Sequence, residues 1–387
     1  MKQLKSRLSP VVESLPPSGI RRFFDLASEM KDVISLGVGE PDFVTPWHIR
    51  DASFDALERG FTSYTSNRGM PQLLQEIASY LTGFDLHYNP ERELLVTVGG
   101  SEAIDVALRA MLCPGEEVLI PEPAYVSYRP CAALAGGVPV AVPTRPDRQF
   151  RLSADDLETR LTSHSKVLVM CYPNNPTGAV LSESDLQGLA KVCVRHDLLV
   201  ISDEIYAELS YGGKHHSIAA QPGMRDRTVV VSGMSKAFAM TGWRIGYAAG
   251  PEDILSAMLK IHQYAILCAP VMGQMAALEA LRHGEREKQR MVEEYDRRRR
   301  LMVEGLRGVG LPCHEPQGAF YAFPDIRGTG LTAEAFAEGL LRQQRVAVVP
   351  GTAFGEAGEG FVRCSYATSA DQIKLAVERI GRFVEEL

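Results

Sequence analysis

The sequence has no long apolar run. None of its stretches approaches the roughly 20 apolar residues that a membrane-spanning helix needs. The first residues, MKQLKSRLSPVVESLPPSGIRRFF, also lack the apolar core and small-residue cleavage site of a secretion signal. These two absences predict a cytoplasmic protein with no membrane partner.

Cysteine pairs and closely spaced histidines are absent too. The seven cysteines form no CxxC pair, and most lie in apolar strings, which predicts reduced core residues instead of disulfides or zinc ligands. None of the nine histidines has metal-ligand spacing, and the adjacent His215 and His216 follow YGGK, which predicts a solvated turn. We therefore expect no metal site.

Nor is there an excess of basic residues. Lysine and arginine number 41 against 48 aspartate and glutamate, and the net charge of −7 argues against a nucleic-acid partner. What is present is ordinary globular composition, 45% hydrophobic and 23% charged, with ample material for a large core. The length of 387 residues suggests two domains, or one large and one small.

Apolar strings of strand length alternate with helical patterns through much of the chain. The strings are LLVTVG (94–99), EEVLIPEP (116–123), KVLVMCYP (166–173), DLLVISDE (197–204), TVVVSG (228–233) and RIGYAAGP (244–251). Residues 102–112 and 182–196 place apolar side chains at helical spacing. This alternation predicts an α/β fold whose sheet is mostly parallel and covered by helices on both faces.

The last third of the chain has a different pattern. Long helices follow Ile254, and a short mixed α/β tail starts at about Cys313, which predicts a second, smaller domain. The run Arg297–Arg300 lies in the helical part, where consecutive charges usually form a solvated face; a grip on phosphate is the alternative.

Polar residues stand where several predicted strands end. Gly99, Gly100 and Ser101 follow LLVTV and precede a helix, and the free backbone amides of such a turn can bind an anion. Asn175, in the rigid turn NNPTG, follows KVLVMCYP and would hold an amide side chain at the sheet edge. Taken singly, both stretches are also ordinary turn chemistry.

Charged residues follow the next two strands. Asp203 follows DLLVIS, with Tyr206 three residues later; Lys236 comes shortly after TVVV, with Arg244 eight residues beyond it. Alone, Asp203 could cap a helix and Tyr206 could be core. Because ligands bind at the carboxyl ends of strands in open α/β sheets, we expect these groups to converge on one crevice. A ligand that uses all of them is an aromatic phosphate with an aldehyde and a ring nitrogen, a description that pyridoxal phosphate fits.

Several strings resemble those of the class I aminotransferases, the fold type I pyridoxal phosphate enzymes. The resemblance rests on YPNNPTG, SDEIYAEL and SGMSKAFAMTGWRIGYAAGP, with ISLGVGEPDF and YTSNRGMPQL near the start and PQGAFYAFPD and GFVRCSYA near the end. It covers nearly the whole chain. It implies a large cofactor-binding domain over residues 46–280, a small domain over 281–387, and an N-terminal arm, 1–45, that completes the small domain.

The resemblance also implies transamination. The amino group of an L-amino acid (aspartate, aromatic or diamino) would pass to a 2-oxo acid such as 2-oxoglutarate, by a ping-pong route through pyridoxamine phosphate. One alternative is carbon–sulfur β-elimination on the same fold, since the cofactor motifs do not specify the leaving group. The other is a non-catalytic pyridoxal sensor fused to a DNA-binding head; the acidic charge and a fold that starts within the first forty residues argue against it.

Carried onto this chain, the resemblance assigns the catalytic and ring-binding roles. Lys236 would hold the cofactor as a Schiff base, and Asp203 would keep the ring nitrogen protonated. Asn175 and Tyr206 would bind the ring hydroxyl oxygen, and Tyr125 would stack on the ring. Burial at a cation-rich sheet edge should lower the pKa of Lys236 from its usual value of about 10.4 and favour the neutral, nucleophilic amine.

Phosphate binding involves a second group of residues. The resemblance implies donors at Gly100, Ser101 and Glu102, with Arg244 as the charge partner. Tyr64 would reach the phosphate of a neighbouring subunit, so the expected active unit is a homodimer with shared active sites.

The substrate α-carboxylate would be clamped by Arg363, with the backbone of Gly39 nearby and Tyr125 and Asn175 also facing the substrate. A planar guanidinium suits this task because it can grip a carboxylate with two parallel hydrogen bonds.

One departure from the family pattern concerns the phosphate. Many relatives carry a serine three residues before the lysine, whereas this chain has Gly233. We expect Ser235 to supply the hydroxyl; the alternatives are that Ser232 supplies it or that the phosphate lacks one donor.

The donor side chain is left open by the sequence. Gly19, Ile20 and Arg22 are candidates for lining the mouth of the site, and equally for packing. An acidic donor would want a second cation, which Arg22 or Arg68 could supply.

Overall fold

A computed structural model describes residues 7–17, 19 and 30–387 of the chain. In chain order, its strands are β1 (Ile34–Ser35), β2 (Leu94–Thr97), β3 (Glu117–Glu122), β4 (Val138–Pro143), β5 (Ser165–Cys171), β6 (Leu199–Asp203), β7 (Thr228–Gly233), β8 (Gly246–Ala249), β9 (Tyr321–Ala322), β10 (Val346–Ala347), β11 (Val349–Pro350) and β12 (Val362–Ser365).

The α-helices alternate with these strands. They are α1 (Pro10–Ser14), α2 (Trp47–Glu58), α3 (Pro71–Thr82), α4 (Gly99–Met111), α5 (Tyr128–Leu134), α6 (Ala154–Glu158), α7 (Glu183–Arg195), α8 (Met234–Ala237), α9 (Glu252–Ala265), α10 (Val271–His283), α11 (Glu285–Gly308), α12 (Ala333–Gln344) and α13 (Ala370–Glu385). Among the described residues no helix is both long and apolar enough to cross a membrane.

The central sheet has seven strands in the order β2-β8-β7-β6-β5-β3-β4. Only β8 runs antiparallel to its neighbours; all other pairs are parallel. This confirms the predicted mostly parallel sheet, and six of the strands overlap the predicted apolar strings. The sequence prediction missed β4, an edge strand in which Val142 is the one buried residue, because Pro139 and Pro143 interrupt its valines and proline within an apolar run argues against a central strand.

The two predicted helices are confirmed as α4 and α7. Helix α4 buries one apolar stripe, which includes Ala103, Ile104 and Leu108, as its spacing predicts. Helix α7 begins with a capping box: Ser182 accepts from the Asp185 N–H, and the Asp185 carboxylate accepts from the Ser182 N–H.

The two ends of the described chain meet in a small sheet. Ile34 and Ser35 of β1 pair in parallel with Val346 and Ala347 of β10. A separate three-stranded sheet has the order β11-β12-β9. A small domain built from both chain ends requires a pairing of this kind. The domain boundaries themselves, 1–45, 46–280 and 281–387, stay predictions.

The arginine run on α11 does not form one face. Arg298 and Arg299 are buried, whereas Arg297 and Arg300 are exposed. Arg298 Nη1 donates to both Asp42 carboxylate oxygens at 2.8 and 2.9 Å. The prediction of a solvated face is therefore wrong for the two central residues, because consecutive helical residues point in different directions.

The seven cysteines are free, and Cys171, Cys193, Cys313 and Cys364 are buried. The prediction of reduced core residues holds for these four, whereas Cys113 is exposed. His215 was predicted to lie in a solvated turn, and that prediction is wrong: its side chain is 8% exposed and its Nε2 lies 3.0 Å from Glu204 Oε2. The Phe84 ring packs edge-on against the His215 ring, with ring centres 5.9 Å apart.

Candidate active site

A cavity of about 530 Å³ lies where the carboxyl ends of β5, β6 and β7 meet loops from both ends of the chain. Its volume lies in the range of about 300–1,000 Å³ that small-molecule sites occupy. Its walls carry charges of both signs, Lys236, Arg244 and Arg363 against Asp203 and Glu40. Among the described residues no group of three or more histidine, cysteine, aspartate or glutamate side chains could hold a metal ion.

Lys236 lies on the one-turn helix α8, just past the end of β7. Its Nζ donates to the backbone oxygen of Gly39 at 2.7 Å. Loss of solvation inside the cavity lowers the pKa of Lys236 to about 8; Glu40 opposes this shift, and Arg363 adds to it. Near neutral pH a useful fraction of this amine is therefore neutral and nucleophilic.

Asp203 is the last residue of β6 and is buried in the cavity wall. Its Oδ2 accepts from the Tyr128 hydroxyl at 2.6 Å, and its Oδ1 accepts from the Ile205 N–H at 3.2 Å. Burial raises the pKa of Asp203 to about 6, and both hydrogen bonds oppose that rise. Asp203 is therefore mostly ionised at neutral pH.

Arg363, on β12, is a buried cation without a counter-ion among the described residues. Its Nη1 donates to Asn175 Oδ1 at 2.9 Å and its Nη2 to the Gly37 oxygen at 2.5 Å. The guanidinium lies 4.5 Å from the ring centre of Tyr321 and 4.9 Å from that of Phe354. Its Nε has no hydrogen-bond partner among the residues described. Such a group is stabilised by an incoming anion.

A second anion-binding feature forms where α4 begins. Gly99 has φ +77°, and a Cβ there would lie 2.5 Å from Arg244 Nη2, so glycine lets the guanidinium lie against the turn. Arg244 Nη1 donates to the Thr241 oxygen at 2.9 Å. The amino terminus of this 13-residue helix and the guanidinium together favour a negatively charged ligand.

Tyrosines complete the walls. The hydroxyl oxygens of Tyr206 and Tyr321 lie 2.8 Å apart, and both side chains are buried. Burial raises the pKa of Tyr206 and raises that of Tyr321 to about 12, so both are neutral donors at neutral pH. Tyr125 lines the cavity with its ring edge-on to that of Tyr128.

Residues 31–380 match the family model described as aminotransferase class I and II. The chain belongs to this aminotransferase family. It is 47% identical to the aspartate aminotransferase of Pyrococcus abyssi, over 98% of each chain. It is 45% identical to aromatic-amino-acid aminotransferase 2 of Thermococcus litoralis, again over 98% of each.

A solved structure named Pyrococcus protein-A1 superimposes on this aminotransferase with a TM-score of 0.96 and 47% identity. The match covers 97% of this chain and 98% of that one. The solved aspartate aminotransferase of Thermus thermophilus superimposes with a TM-score of 0.93 and 40% identity, over 97% of this chain and 99% of that one. Family and fold therefore agree: the protein is a transaminase with an aminotransferase fold, acting on amino acids and oxo acids.

The cavity of the aminotransferase brings together most of the residues predicted for the site. These are Gly39, Gly100, Ser101, Tyr125, Asn175, Asp203, Tyr206, Ser235, Lys236, Arg244 and Arg363.

Two predicted cofactor residues, Glu102 and Tyr64, do not line the cavity of their own subunit. The Glu102 carboxylate accepts from the Val98 N–H at 2.5 Å and lies 2.6 Å from His262 Nδ1, so its side chain holds the start of α4 against α9. Tyr64 is 82% exposed. A backbone contact from Glu102 and a contact from Tyr64 across a dimer stay predictions.

The choice between the two serines has a geometric basis. The Ser232 hydroxyl donates to the Glu204 oxygen at 3.2 Å, whereas Ser235 lines the cavity. A Cβ on Gly233 would lie 2.8 Å from both the Gly246 Cα and the Ile245 oxygen. Serine at position 233 would therefore clash with this backbone, so glycine suits the close approach of β7 and β8 here.

The predicted mouth residues are only partly described. Ile20 and Arg22 lie outside the described residues, and Gly19 lies beside Ala353, where an added Cβ would be 3.3 Å from that side chain. Arg68 does not line the cavity: its Nη1 donates to the backbone oxygens of Arg92 and Leu94. Arg68 therefore does not supply a second cation to the site of its own subunit.

Sequence reasoning missed two tyrosines. Tyr321 lies in PQGAFYAFPD, one of the strings that carry the family resemblance, so that string could have indicated a site residue. Tyr128 donates to Asp203 from 75 positions away in the chain, and nothing in the sequence signals that pairing.

Proposed function

We propose that this aminotransferase binds pyridoxal phosphate and moves the amino group of an L-amino acid to a 2-oxo acid such as 2-oxoglutarate. One observation carries the proposal. The Lys236 amine, with its lowered pKa, shares one cavity with a buried carboxylate, Asp203, and a buried guanidinium, Arg363, that has no counter-ion among the described residues.

The residues present fit this cofactor. Gly100, Ser101, Ser235 and Arg244 provide a site for its phosphate beside the start of α4. Asp203 suits a protonated ring nitrogen. When bound, the cofactor supplies an aldehyde that links covalently to amines and a ring that takes up an electron pair.

The ring hydroxyl and the ring face have partners too. Tyr206 and Asn175 line the same cavity and suit the ring hydroxyl oxygen, and Tyr125 suits the ring face. Each polar group of the cofactor thus has a chemically matching side chain among the residues that line the cavity.

The chain's own groups account for proton transfer. Lys236, with a pKa of about 8, could accept a proton from the substrate α-carbon and return it to the former aldehyde carbon of the cofactor, because its proton affinity is matched to neutral pH. Arg363 would hold the α-carboxylate and so fix which bond of the α-carbon is cleaved. That orientation favours proton removal over decarboxylation.

We further propose a homodimer with shared active sites in the cytoplasm. Large apolar side chains are exposed, with Trp47 60% and Tyr264 88% exposed. Asn67 Nδ2 donates to the Leu267 oxygen at 2.8 Å and joins the Tyr64 and Tyr264 segments. Exposed apolar surface of this kind supports a contact with a second copy.

The identity of the donor amino acid depends on which cations reach the substrate side chain. Relatives named for aspartate and for aromatic donors are almost equally similar, at 47% and 45% identity. Of the cavity cations among the described residues, each of Lys236, Arg244 and Arg363 already has a proposed task. An aspartate donor would thus need a further cation, either from the second subunit or from Arg22, which lies outside the described residues, whereas an aromatic donor would not.

A half-reaction screen tests the proposal. Purified protein is mixed with each of a panel of amino acids without a 2-oxo acid, while cofactor absorbance and ammonia are followed. Conversion of bound cofactor to its pyridoxamine form without ammonia supports transamination and identifies the donor. Ammonia release with the absorbance restored would instead indicate a carbon–sulfur β-lyase, and protein that binds no cofactor would refute the cofactor assignment.

A further inference from the structure

The hydroxyl of Tyr128 lies beside the proposed cofactor site but is not one of the groups proposed to bind the cofactor or the substrate. Tyr128 is the first residue of α5 and is 1% exposed. Its hydroxyl donates to Asp203 Oδ2 at 2.6 Å, a short hydrogen bond between two buried side chains. The phenol is therefore committed to the carboxylate that would face the cofactor ring.

Few other groups act on this carboxylate. The Ile205 N–H donates to Oδ1 at a longer distance, 3.2 Å. Tyr128 is the one side-chain donor to Asp203 among the described residues. The charges of Glu204 and Lys236 act on it in opposite directions.

We propose that Tyr128 is a positioning residue that, through its hydrogen bond to Asp203, keeps the proton shared by Asp203 and the cofactor on the ring nitrogen. This inference rests on the proposed function, because it requires pyridoxal phosphate in the cavity.

The proton balance explains the effect. Asp203 and the ring nitrogen share one proton, and a donor to Asp203 stabilises the ionised carboxylate, which leaves the proton on the nitrogen. Without the Tyr128 hydroxyl, that proton moves from the nitrogen to Asp203, and no other group gains or loses one. A hydrogen bond to a charged acceptor is strong enough to change the distribution by roughly 10- to 150-fold.

The influences on the pKa of Asp203 act in the direction that this role of Tyr128 requires. Burial raises it to about 6, and the Tyr128 hydrogen bond is the largest influence that lowers it. Loss of the hydroxyl therefore makes Asp203 a stronger competitor for the shared proton.

Tyr128→Phe isolates the hydroxyl. Phenylalanine keeps the aromatic ring, and so keeps the edge-on contact with Tyr125 at 5.6 Å between ring centres. Tyr172→Phe is the matched control. Tyr172 is also a buried tyrosine, but its hydroxyl accepts from the Leu152 N–H and donates to the Phe150 oxygen, away from the cavity.

The experiment is nitrogen NMR of the holoenzyme loaded with cofactor that carries ¹⁵N in the ring. Wild type and Tyr172→Phe should give the resonance of a protonated ring nitrogen. Tyr128→Phe should move toward the position of neutral pyridine. A wild-type position in Tyr128→Phe, or an equal shift in both variants, would overturn the role of Tyr128.

Two further results separate the possible failures. If the wild type binds no labelled cofactor, the proposed function itself fails; if it binds the cofactor and only the Tyr128→Phe shift is missing, the function stands and this inference fails. Should Tyr128→Phe not fold, 4-aminophenylalanine at position 128 offers the same shape with a weaker donor. Its resonance should move partway toward neutral pyridine, and an unshifted resonance would overturn the proposal.

Discussion

Replacing Arg363 by lysine tests the proposed grip on the substrate carboxylate. Arg363 already uses Nη1 and Nη2 on Asn175 and Gly37, at 2.9 and 2.5 Å, and those two bonds fix the plane of the guanidinium. Lysine keeps the charge but has no planar fork, so it offers a carboxylate one directed hydrogen bond in place of two. The variant therefore separates geometry from charge.

The expected loss can be estimated from these contacts. A hydrogen bond to a charged group contributes about 1.5–3 kcal/mol, so losing one of two should lower kcat/KM by about 10- to 150-fold. Asn175 Oδ1 and the Gly37 oxygen would also lose their donors. Each buried acceptor left unpaired costs about 1–3 kcal/mol of stability, so the variant should also melt at a lower temperature.

The assay is the half-reaction rate at varied donor concentration, measured beside an Arg299→Lys control. Arg299 is also a buried arginine, but it grips Glu315 and Asp296 outside the cavity, so its replacement should lower stability without changing kcat/KM. Unchanged affinity of the Arg363→Lys variant for every amino acid would refute the reasoning, because another group would then hold the α-carboxylate.

Three further changes test the other parts of the site. Lys236→Ala should leave no cofactor that borohydride can trap covalently and almost no turnover; trapped cofactor on another lysine would reassign the role. Gly99→Ala should weaken cofactor binding, because φ is +77° and the new Cβ meets Arg244; an unchanged dissociation constant would contradict this. Asp203→Asn should keep the fold but lose most of the rate. The folded-state pKa of Asp203, about 6, lies above its ordinary 3.8, so cofactor-free wild type holds the extra proton when folded and loses up to about 3 kcal/mol of stability as pH rises from 4 to 7. Melting curves should show that this pH-dependent loss is absent from cofactor-free Asp203→Asn, and parallel curves would refute it.

The main sheet and most of the site could be predicted because the relevant signals are local. A buried parallel strand is an apolar run, and the residue that follows it lies at the edge where neighbouring strands also end. Asp203 and Lys236 could therefore be placed at one crevice without knowing the strand order. Gly233, the departure from the family pattern, could be noticed but not explained, because the clash with Gly246 arises between two strands.

The features that could not be predicted depend on the lateral order of the strands in the sheet and on which side of a helix faces the rest of the protein. The Tyr128 bond to Asp203 requires that β3, which precedes α5, lie next to β5 and so one strand from β6; no local pattern encodes that order. Arg298 and Arg299 became buried because α11 turns them toward Asp42 and Glu315. A charge run specifies a helix surface but not which side of it faces the protein.

The charges of the cavity link binding to stability. Arg363 and Arg244 form no ion pair within the described residues, whereas Arg298, elsewhere in the fold, is fully paired with Asp42 and Glu294. A buried cation without a counter-ion destabilises the folded chain until a ligand brings the opposite charge. Arg363 is the buried one of these two arginines, whereas Arg244 is exposed. An α-carboxylate at Arg363 would bring that charge, so the substrate group proposed from chemistry is also the one that this buried cation requires. Substrate binding should therefore stabilise the fold as well as prepare it for transamination.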